Sequence, residues 1–212
     1  MSKNWLAICM ARLEGIEKRL EQNPKDLKAL LEQAILYYEP LCESDKAVEM
    51  FESIIKQDPM YVDAYMWLGE LLADHMADEL GAEKVLQTCL ALDPTRADCH
   101  VILGWAALPA LGKEKESEYH YREAIKYQPT WVRPRLCLVN YLLTKHEYQK
   151  AKQEAHEALH YILDKIPEEV DSITHHYERL ITGRYDPTVK NELLNALKEA
   201  EQKINEENVD SL

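Results

Sequence analysis

Four prolines recur at a constant spacing along most of this chain. They stand 35 residues apart, and each follows a polar residue: Pro24, Pro59, Pro94 and Pro129. A period of this length indicates one supersecondary unit copied along the chain, and such units stack because none can bury its apolar face alone. A proline suits the boundary between units, since it cannot continue one helix but can begin the next. The spacing therefore predicts a repeat protein.

Small and bulky side chains also recur at fixed places inside each period. A small residue stands ten positions after the proline in the first three periods, with valine in the fourth: Ala34, Gly69, Gly104 and Val139. Before the next proline come a second small column and a bulky column: Ala47, Ala82 and Ser117, then Phe51, Leu86 and Tyr121. A small residue lets another helix approach closely, and a bulky residue fills the space beside it. The columns predict a packed pair of antiparallel helices, A and B, in every unit.

These columns resemble the tetratricopeptide repeat family. The second period matches the family pattern best, through Tyr65, Leu68, Gly69, Leu72, Ala82, Leu86, Cys89 and Pro94. The resemblance spans roughly residues 25–164 and implies an all-α fold. The fold it implies is a right-handed superhelical solenoid of antiparallel helix pairs with capping helices at both ends. Three periods are one residue longer than the family's usual length of about 34 residues, and we place that residue in the loop between helices A and B.

The whole chain, 1–212, is predicted to form a single domain of this kind. Its parts are an N-terminal helix (4–22), four repeats (25–59, 60–94, 95–129 and 130–164), a C-terminal capping helix pair (168–206) and a tail (207–212). Solenoids need a terminal element that covers the last core face, which favours the capping role for the final helices. The alternative, in which the last helix folds back into the groove, stays open.

The resemblance also implies that the A helices line a concave groove that binds a partner. The family's binding positions fall on Lys28, Leu31, Ile35 and Tyr38; Asp63, Met66, Glu70 and Asp74; Asp98, Val101 and Trp105; and Arg133, Leu136 and Asn140. An apolar stripe with acidic edges would suit an amphipathic helix or an extended peptide with apolar anchors and basic flanks. For each residue, the alternative is packing between neighbouring A helices.

The net charge of −13 argues against a nucleic-acid partner. A protein that neutralises phosphates needs a basic stripe, whereas residues 60–94 hold seven acidic residues against Lys84 alone. This acidity has two interpretations, a solvated soluble surface or attraction of a basic partner, and the first is preferred.

One short catalytic pattern is present in the fourth period. Residues 156–160 read H-E-x-x-H, in which two histidines on one helix face bind zinc and the glutamate acts as a base. However, the same stretch is already explained as a repeat helix, and a catalytic zinc needs a third ligand and an open position. Candidates for that ligand are His175, His176 and Glu178. We keep zinc binding through His156 and His160 as a remote alternative, and predict that the protein is not an enzyme and uses no cofactor.

The sequence predicts a cytoplasmic location without membrane insertion. No stretch approaches the roughly 20 apolar residues of a membrane span, and the apolar run at 5–11 is too short for a signal peptide. The five cysteines are odd in number and contain no C-x-x-C pair. This usage predicts free thiols rather than a disulfide framework.

The preferred functional hypothesis is a non-enzymatic protein–protein interaction module, an adaptor or scaffold that binds a peptide or helix of a partner in its groove. The alternative is a dedicated chaperone or inhibitor of a single client, such as a secretion substrate or a toxin. The oligomeric state stays open, because an exposed terminal helix face can close against a cap or against a second copy in a homodimer.

Overall fold

The computed structural model describes residues 3–39, 41–163 and 187–210. Over these ranges the regular secondary structure is entirely helical, as predicted. The chain divides into two compact units, Met1–Pro94 and Thr95–Leu212. Each unit is described by itself.

The first unit begins with one long helix and continues as two helical hairpins. Its helices are α1 (Lys3–Gln22), α2 (Leu27–Tyr38), α3 (Ser44–Gln57), α4 (Val62–Asp74) and α5 (Glu79–Leu92). Helix α1 packs on α2, α2 pairs with α3, and α4 pairs with α5, while α3 contacts α4. Fully buried bulky residues fill the core between them: Phe51, Ile54, Leu71 and Leu86. These are the antiparallel pairs that the repeated columns predict.

The second unit also consists of helical hairpins. Its elements are α6 (Ala97–Ile102), a π-helical turn (Leu103–Ala107), α7 (Leu108–Ala110), α8 (Glu114–Tyr127), α9 (Val132–Thr144), α10 (Tyr148–Leu163) and α11 (Pro187–Asp210). Helix α8 packs against α6 and α9, and α9 pairs with α10. The core includes Leu136, Leu138, Val139 and Leu142 of α9.

The small and bulky columns meet as the sequence predicts. A Cβ atom built on Gly69 would lie 2.5 Å from Cγ of Leu86. In the second unit, a Cβ atom on Gly104 would lie 2.6 Å from Cε1 of Tyr121. Both distances are shorter than a normal van der Waals contact, so helix A can approach helix B this closely only because the side chain is missing.

The location of the additional residue differs between repeats. In the second repeat the loop between α4 and α5 holds it, as predicted. In the third repeat the loop 111–113 is short, and the extra residue instead lies inside helix A, where Leu103–Ala107 form a π-helical turn. A π turn accommodates one inserted residue without ending the helix. The loop placement is therefore wrong for the third repeat.

The final helix packs on the last hairpin of the second unit. Helix α11 contacts α9 and α10, and it buries Val189, Leu193, Ala196 and Ala200 in the same core cluster as α9. This packing supports the capping hypothesis. The helix extends to Asp210, so the prediction of a tail from residue 207 is wrong for 207–210. Hydrogen bonds from Gln202 and Lys203 to Glu206, both 2.8 Å, help the last turns to continue.

The first helix of the predicted capping pair lies outside the described residues, and so do His175, His176 and Glu178.

Cys9, Cys42 and Cys137 are free thiols, as expected. Cys89 and Cys99 are disulfide-bonded, so the free-thiol prediction is wrong for these two. Spacing cannot reveal such bonding, because it depends on tertiary proximity. Within the described ranges, no helix is long and apolar enough to cross a membrane.

The second unit contains a close pair of histidines. Nδ1 of His100 on α6 lies 2.9 Å from Nδ1 of His120 on α8, and the Tyr127 ring stacks on His100 with centroids 5.9 Å apart. The pKa of His120 is lowered from 6.5 to about 4, mainly by burial and also by the neighbouring His100, whereas Glu123 opposes the shift. His120 is therefore neutral at physiological pH.

This pair predicts a loss of stability in mild acid. Because the unfolded chain binds the His120 proton more tightly, the contribution of this group is complete above about pH 6.5 and is lost as the pH falls towards 4. We expect the melting temperature of the wild type to fall more steeply between pH 7 and 4.5 than that of His120→Gln, measured by circular dichroism. The exposed His156 provides the control, and His156→Gln should follow the wild-type curve; parallel curves for His120→Gln would contradict the prediction.

Candidate functional site

The predicted groove residues of the first unit lie on two neighbouring helices. Helices α2 and α4 contact each other, and the Tyr38 and Trp67 rings meet edge to face with centroids 6.4 Å apart. Among the predicted residues, the apolar and aromatic side chains are buried: Leu31, Ile35, Tyr38 and Met66. The charged ones are partly or fully exposed: Lys28, Asp63, Glu70 and Asp74. In this unit the accessible part of the predicted site is therefore charged and mainly acidic.

Tyr38 shows how closely these acidic side chains approach the core. Burial is the main reason that the pKa of Tyr38 is raised, and the carboxylates of Glu70 and Asp74 raise it further. The phenol therefore remains neutral beneath an acidic rim. A basic segment of a partner would be attracted to that rim.

The predicted residues of the second unit separate in the same way. Val101 and Leu136 are buried, whereas Asp98 and Arg133 are partly exposed and Asn140 is exposed. Asp98 is paired with Arg96, with 2.6 Å between Nη2 and Oδ2. Trp105 differs from the other apolar members of the set, since 42% of its surface is exposed. For the buried members, partner contact stays a prediction, and their burial favours the packing role that the sequence left open.

Trp105 and Asn140 line one cleft of about 310 Å³ in the second unit. The π turn, α7, α8 and α9 form its walls. The other lining residues are Gly104, Pro109, Glu114, Ser117, Tyr121, Cys137, Tyr141, Thr144 and Lys145. The structure thus brings two of the predicted residues together and adds residues of α8 and of the C-terminal half of α9.

Most of the residues that line the cleft are uncharged. Ser117 and Tyr121 are buried there, and burial raises the pKa of Tyr121 and raises that of Cys137 to about 11. Burial also raises the pKa of Tyr141, followed by Glu118, Glu147 and Glu114. These groups therefore hold their protons at neutral pH. The charges of the lining belong to Glu114 and Lys145, whose Oε1 and Nζ atoms lie 3.9 Å apart.

Two departures from the repeat pattern meet at this cleft. The π turn belongs to the third repeat and carries Trp105. Ser117 stands in the small column of helix B, where the other repeats have buried alanines: Ala47, Ala82 and Ala151. The Ser117 hydroxyl is buried and has no hydrogen-bond partner among the described residues. The serine is visible in the sequence as an exception to its column, but the π turn is not.

The H-E-x-x-H stretch lies on α10 and has a structural role. Arg135 of α9 is buried, and its Nη1 donates hydrogen bonds of 2.8 Å to both Glu154 and Glu157. The glutamate of the pattern is therefore engaged in an ion pair, while His156 and His160 are exposed. Within the described part of the chain, no group of three residues is placed to hold a metal ion.

Comparisons with known proteins agree with this architecture. The protein-family model of the tetratricopeptide repeat matches residues 28–59 of this chain. A search among curated proteins found no match. The solved structures that are similar include TTC0263, a thermophilic TPR protein of Thermus thermophilus, with a TM-score of 0.63 and 22% identity over 83% of this chain and 92% of that one.

Two further structures show the same fold. YrrB, described as a TPR protein with an unusual peptide-binding site, has a TM-score of 0.59 and 15% identity over 90% of this chain and 93% of that one. MamA has a TM-score of 0.60 and 20% identity over 80% and 91%, respectively. The chain is thus an all-α protein built from helical hairpins. It carries a tetratricopeptide repeat and has the fold of tetratricopeptide repeat proteins, as its resemblance to that family predicts.

Proposed function

We propose that this protein is a non-enzymatic interaction module, an adaptor or scaffold, that binds a peptide or helix of a partner protein through its A helices. The observation that carries the proposal is the cleft of the second unit, where Trp105 is exposed beside Asn140. Exposed tryptophans next to a pocket are typical energetic centres of protein interfaces. The tetratricopeptide fold itself supports binding to a protein rather than catalysis.

The partner segment we propose has apolar anchors and basic flanks. The acidic residues exposed on α2 and α4 of the first unit, together with the net charge of −13, favour a basic segment. The unusual peptide-binding site described for YrrB is a property of that protein, and it supports the proposal only through the shared fold.

Substitution of Trp105 tests the proposal directly. We expect Trp105→Ala to reduce capture of the partner about tenfold, because truncating a central aromatic residue costs more than about 1 kcal/mol. Tyr119 is the matched control, since it is an aromatic residue of the same unit that is 59% exposed and lies outside the cleft. Tagged wild type, Trp105→Ala and Tyr119→Ala are expressed in the native cell, and captured proteins are quantified by mass spectrometry. Equal capture by all three would contradict the proposal, provided that their melting temperatures agree.

The same experiment separates the adaptor from the alternative function. A single abundant partner in a one-to-one ratio would favour a dedicated chaperone or inhibitor, whereas several components of one assembly would favour the adaptor. Sedimentation of the purified protein tests whether it forms a homodimer.

We propose a cytoplasmic location, and a titration of the thiols in protein extracted under acid quenching tests it. Five reactive thiols after denaturation would support a reducing compartment, whereas three would contradict it, because Cys89 and Cys99 are disulfide-bonded in the structure.

A further inference from the structure

We infer that the connection between α4 and α5 in the first unit is a docking surface for a basic amphipathic helix of a partner protein. The surface comprises residues 74–80 and is called the loop surface below. It carries two exposed apolar side chains, Met76 and Leu80, among three acidic residues. Because the cleft beside Trp105 belongs to the second unit, this inference goes beyond the proposed function and does not depend on that cleft.

The apolar side chains of the loop surface are accessible to a partner. Leu80 is 69% exposed, the largest fraction among the large apolar side chains of the described residues, and Met76 is 39% exposed. Leu80 is the second residue of α5 and contributes little to the core of its own hairpin. A partner that covers these side chains gains the free energy of removing apolar surface from water.

The other repeats show that the fold does not require a leucine at this place. Each of the four loops between helices A and B contains one residue with a positive φ angle: Cys42, Ala77, Gly112 and His146. Three positions after that residue, the side chain is exposed in every repeat: Asp45, Leu80, Lys115 and Gln149. The same loop position thus accepts an acidic, a basic or an amide side chain. The leucine of the second repeat is therefore assigned to binding rather than to folding.

Hydrogen bonds fix the backbone of the loop surface. The backbone N–H groups of Met76 and Asp78 donate to the carbonyl groups of Leu71 and Leu72, at 3.3 and 3.0 Å. The Asp78 carboxylate accepts a hydrogen bond of 3.0 Å from the N–H group of Gly81 and caps α5. The backbone that carries the apolar side chains is therefore already ordered, which lowers the entropy cost of binding.

The charges of the loop surface select a basic partner. Asp74 and Asp78 are exposed, and Glu79 is partly exposed. No lysine or arginine stands between Lys56 and Lys84, whereas this stretch holds seven acidic residues. Lysine and arginine side chains that flank the apolar anchors of a partner would be attracted to these carboxylates.

The combination of exposed apolar groups and acidic neighbours favours a helix of a protein over two other occupants. An amphipathic helix presents apolar residues on one face and can carry lysine or arginine along both edges of that face. An anionic lipid surface would be repelled by the carboxylates, although it too could accept apolar side chains. The loop surface of a second copy would bring like charges together.

Two synthetic helices of opposite charge test the inference. One consists of leucine on one face and lysine on the other, and its counterpart has glutamate in place of lysine. Each peptide carries a fluorescent label and is titrated with the full-length protein, and anisotropy measures binding. We expect saturable binding of the lysine peptide that weakens as salt is added, and binding of the glutamate peptide at least about tenfold weaker.

Leu80→Gln is the decisive variant, because glutamine is the residue of the fourth repeat at this loop position. We expect an unchanged melting temperature and about fivefold weaker binding of the lysine peptide, the usual effect of removing one apolar anchor. Leu80→Met should retain the affinity of the wild type. Met60→Gln is the matched control, since Met60 is 66% exposed in the same unit but lies between α3 and α4; it should bind like the wild type.

Three outcomes would overturn the inference: equal binding of the two peptides, wild-type affinity in Leu80→Gln, or tighter binding to phosphatidylserine vesicles than to the lysine peptide. These outcomes are distinct from failure of the proposed function. Binding of the lysine peptide that depends on Trp105 but not on Leu80 would support the cleft and remove the loop surface. Binding that depends on Leu80 and is unchanged in Trp105→Ala would support the loop surface, and the capture experiment would still decide the role of the cleft.

Discussion

Replacement of Leu86 by alanine should lower the free energy of unfolding by about 2–5 kcal/mol, the usual range for a fully buried leucine. Leu86 of α5 is completely buried, and its Cγ atom faces Gly69 of α4. Gly69→Ala should also be destabilising, by about 1–3 kcal/mol from overpacking, offset in part by the roughly 1 kcal/mol by which a helix favours alanine over glycine. Chemical denaturation monitored by circular dichroism measures both losses.

The double variant makes this prediction specific to the contact. In Gly69→Ala with Leu86→Ala, the new methyl group would occupy space left by the leucine, so the loss should be smaller than the sum of the single losses by about 0.5–3 kcal/mol. Gly15→Ala is the control, because a Cβ atom at Gly15 meets nothing within 4 Å. That change should stabilise helix α1 by about 0.5–1 kcal/mol. Additive losses in the double variant would show that the two columns do not meet.

Removal of both carboxylates that face Arg135 should destabilise the protein by about 3–5 kcal/mol, because it leaves a buried charge without a counter-ion. The Arg135 side chain is 9% exposed, and Nη1 contacts Glu154 and Glu157 at 2.8 Å. The Nε atom of Arg135 is buried without a hydrogen-bond partner in the described structure, so its existing ion pairs are its main compensation. The variant Glu154→Gln with Glu157→Gln is measured against the wild type by chemical denaturation.

A third change distinguishes charge from packing at this place. Adding Arg135→Met to the double glutamine variant removes the charge but keeps an unbranched side chain, and should restore most of the lost stability. Glu14→Gln is the control, since the Glu14–Lys18 pair is exposed on both sides, and no change in stability is expected there. A triple variant no more stable than the double variant would contradict the electrostatic explanation.

The helical pairs could be predicted because their determinants are local and repeated. Proline at the boundary and the opposition of Gly69 to Leu86 each follow from the geometry of one hairpin, and three copies of the pattern supply independent evidence. The same logic predicts Gly104 against Tyr121. Such contacts depend on side-chain size at fixed spacing, which a sequence displays directly.

The accessibility of the predicted groove could not be predicted in the same way. Val101 and Leu136 are apolar residues at family binding positions, and an apolar residue fits a ligand contact and a core contact equally well. Their burial depends on how closely neighbouring helices pack, which is not encoded by a single column. The burial of Arg135 could not be predicted either. A buried arginine requires carboxylates from another helix, and no local pattern specifies them.

The π turn could not be predicted from the sequence, for a different reason. Periods of 35 residues look identical whether the additional residue lengthens a loop or widens a helix. The choice in the third repeat depends on backbone hydrogen bonds, which no side-chain column reports. The cleft beside Trp105 was therefore only partly predictable, through Trp105 and Asn140, and through the serine that departs from the alanine column.

A π turn in the middle of a helix lets the residues before it and the residues after it each keep their own buried face. In a regular helix, one inserted residue rotates everything beyond it by about 100°, which would turn one end away from its core. Here the additional residue lies within Leu103–Ala107, and Val101 before this turn and Leu108 after it are both buried, while Trp105 inside it is exposed. A π turn in one hairpin can thus expose a tryptophan beside a cleft while the residues before and after the turn stay in the core. Deleting one residue from this segment should convert the π turn into a regular helical turn.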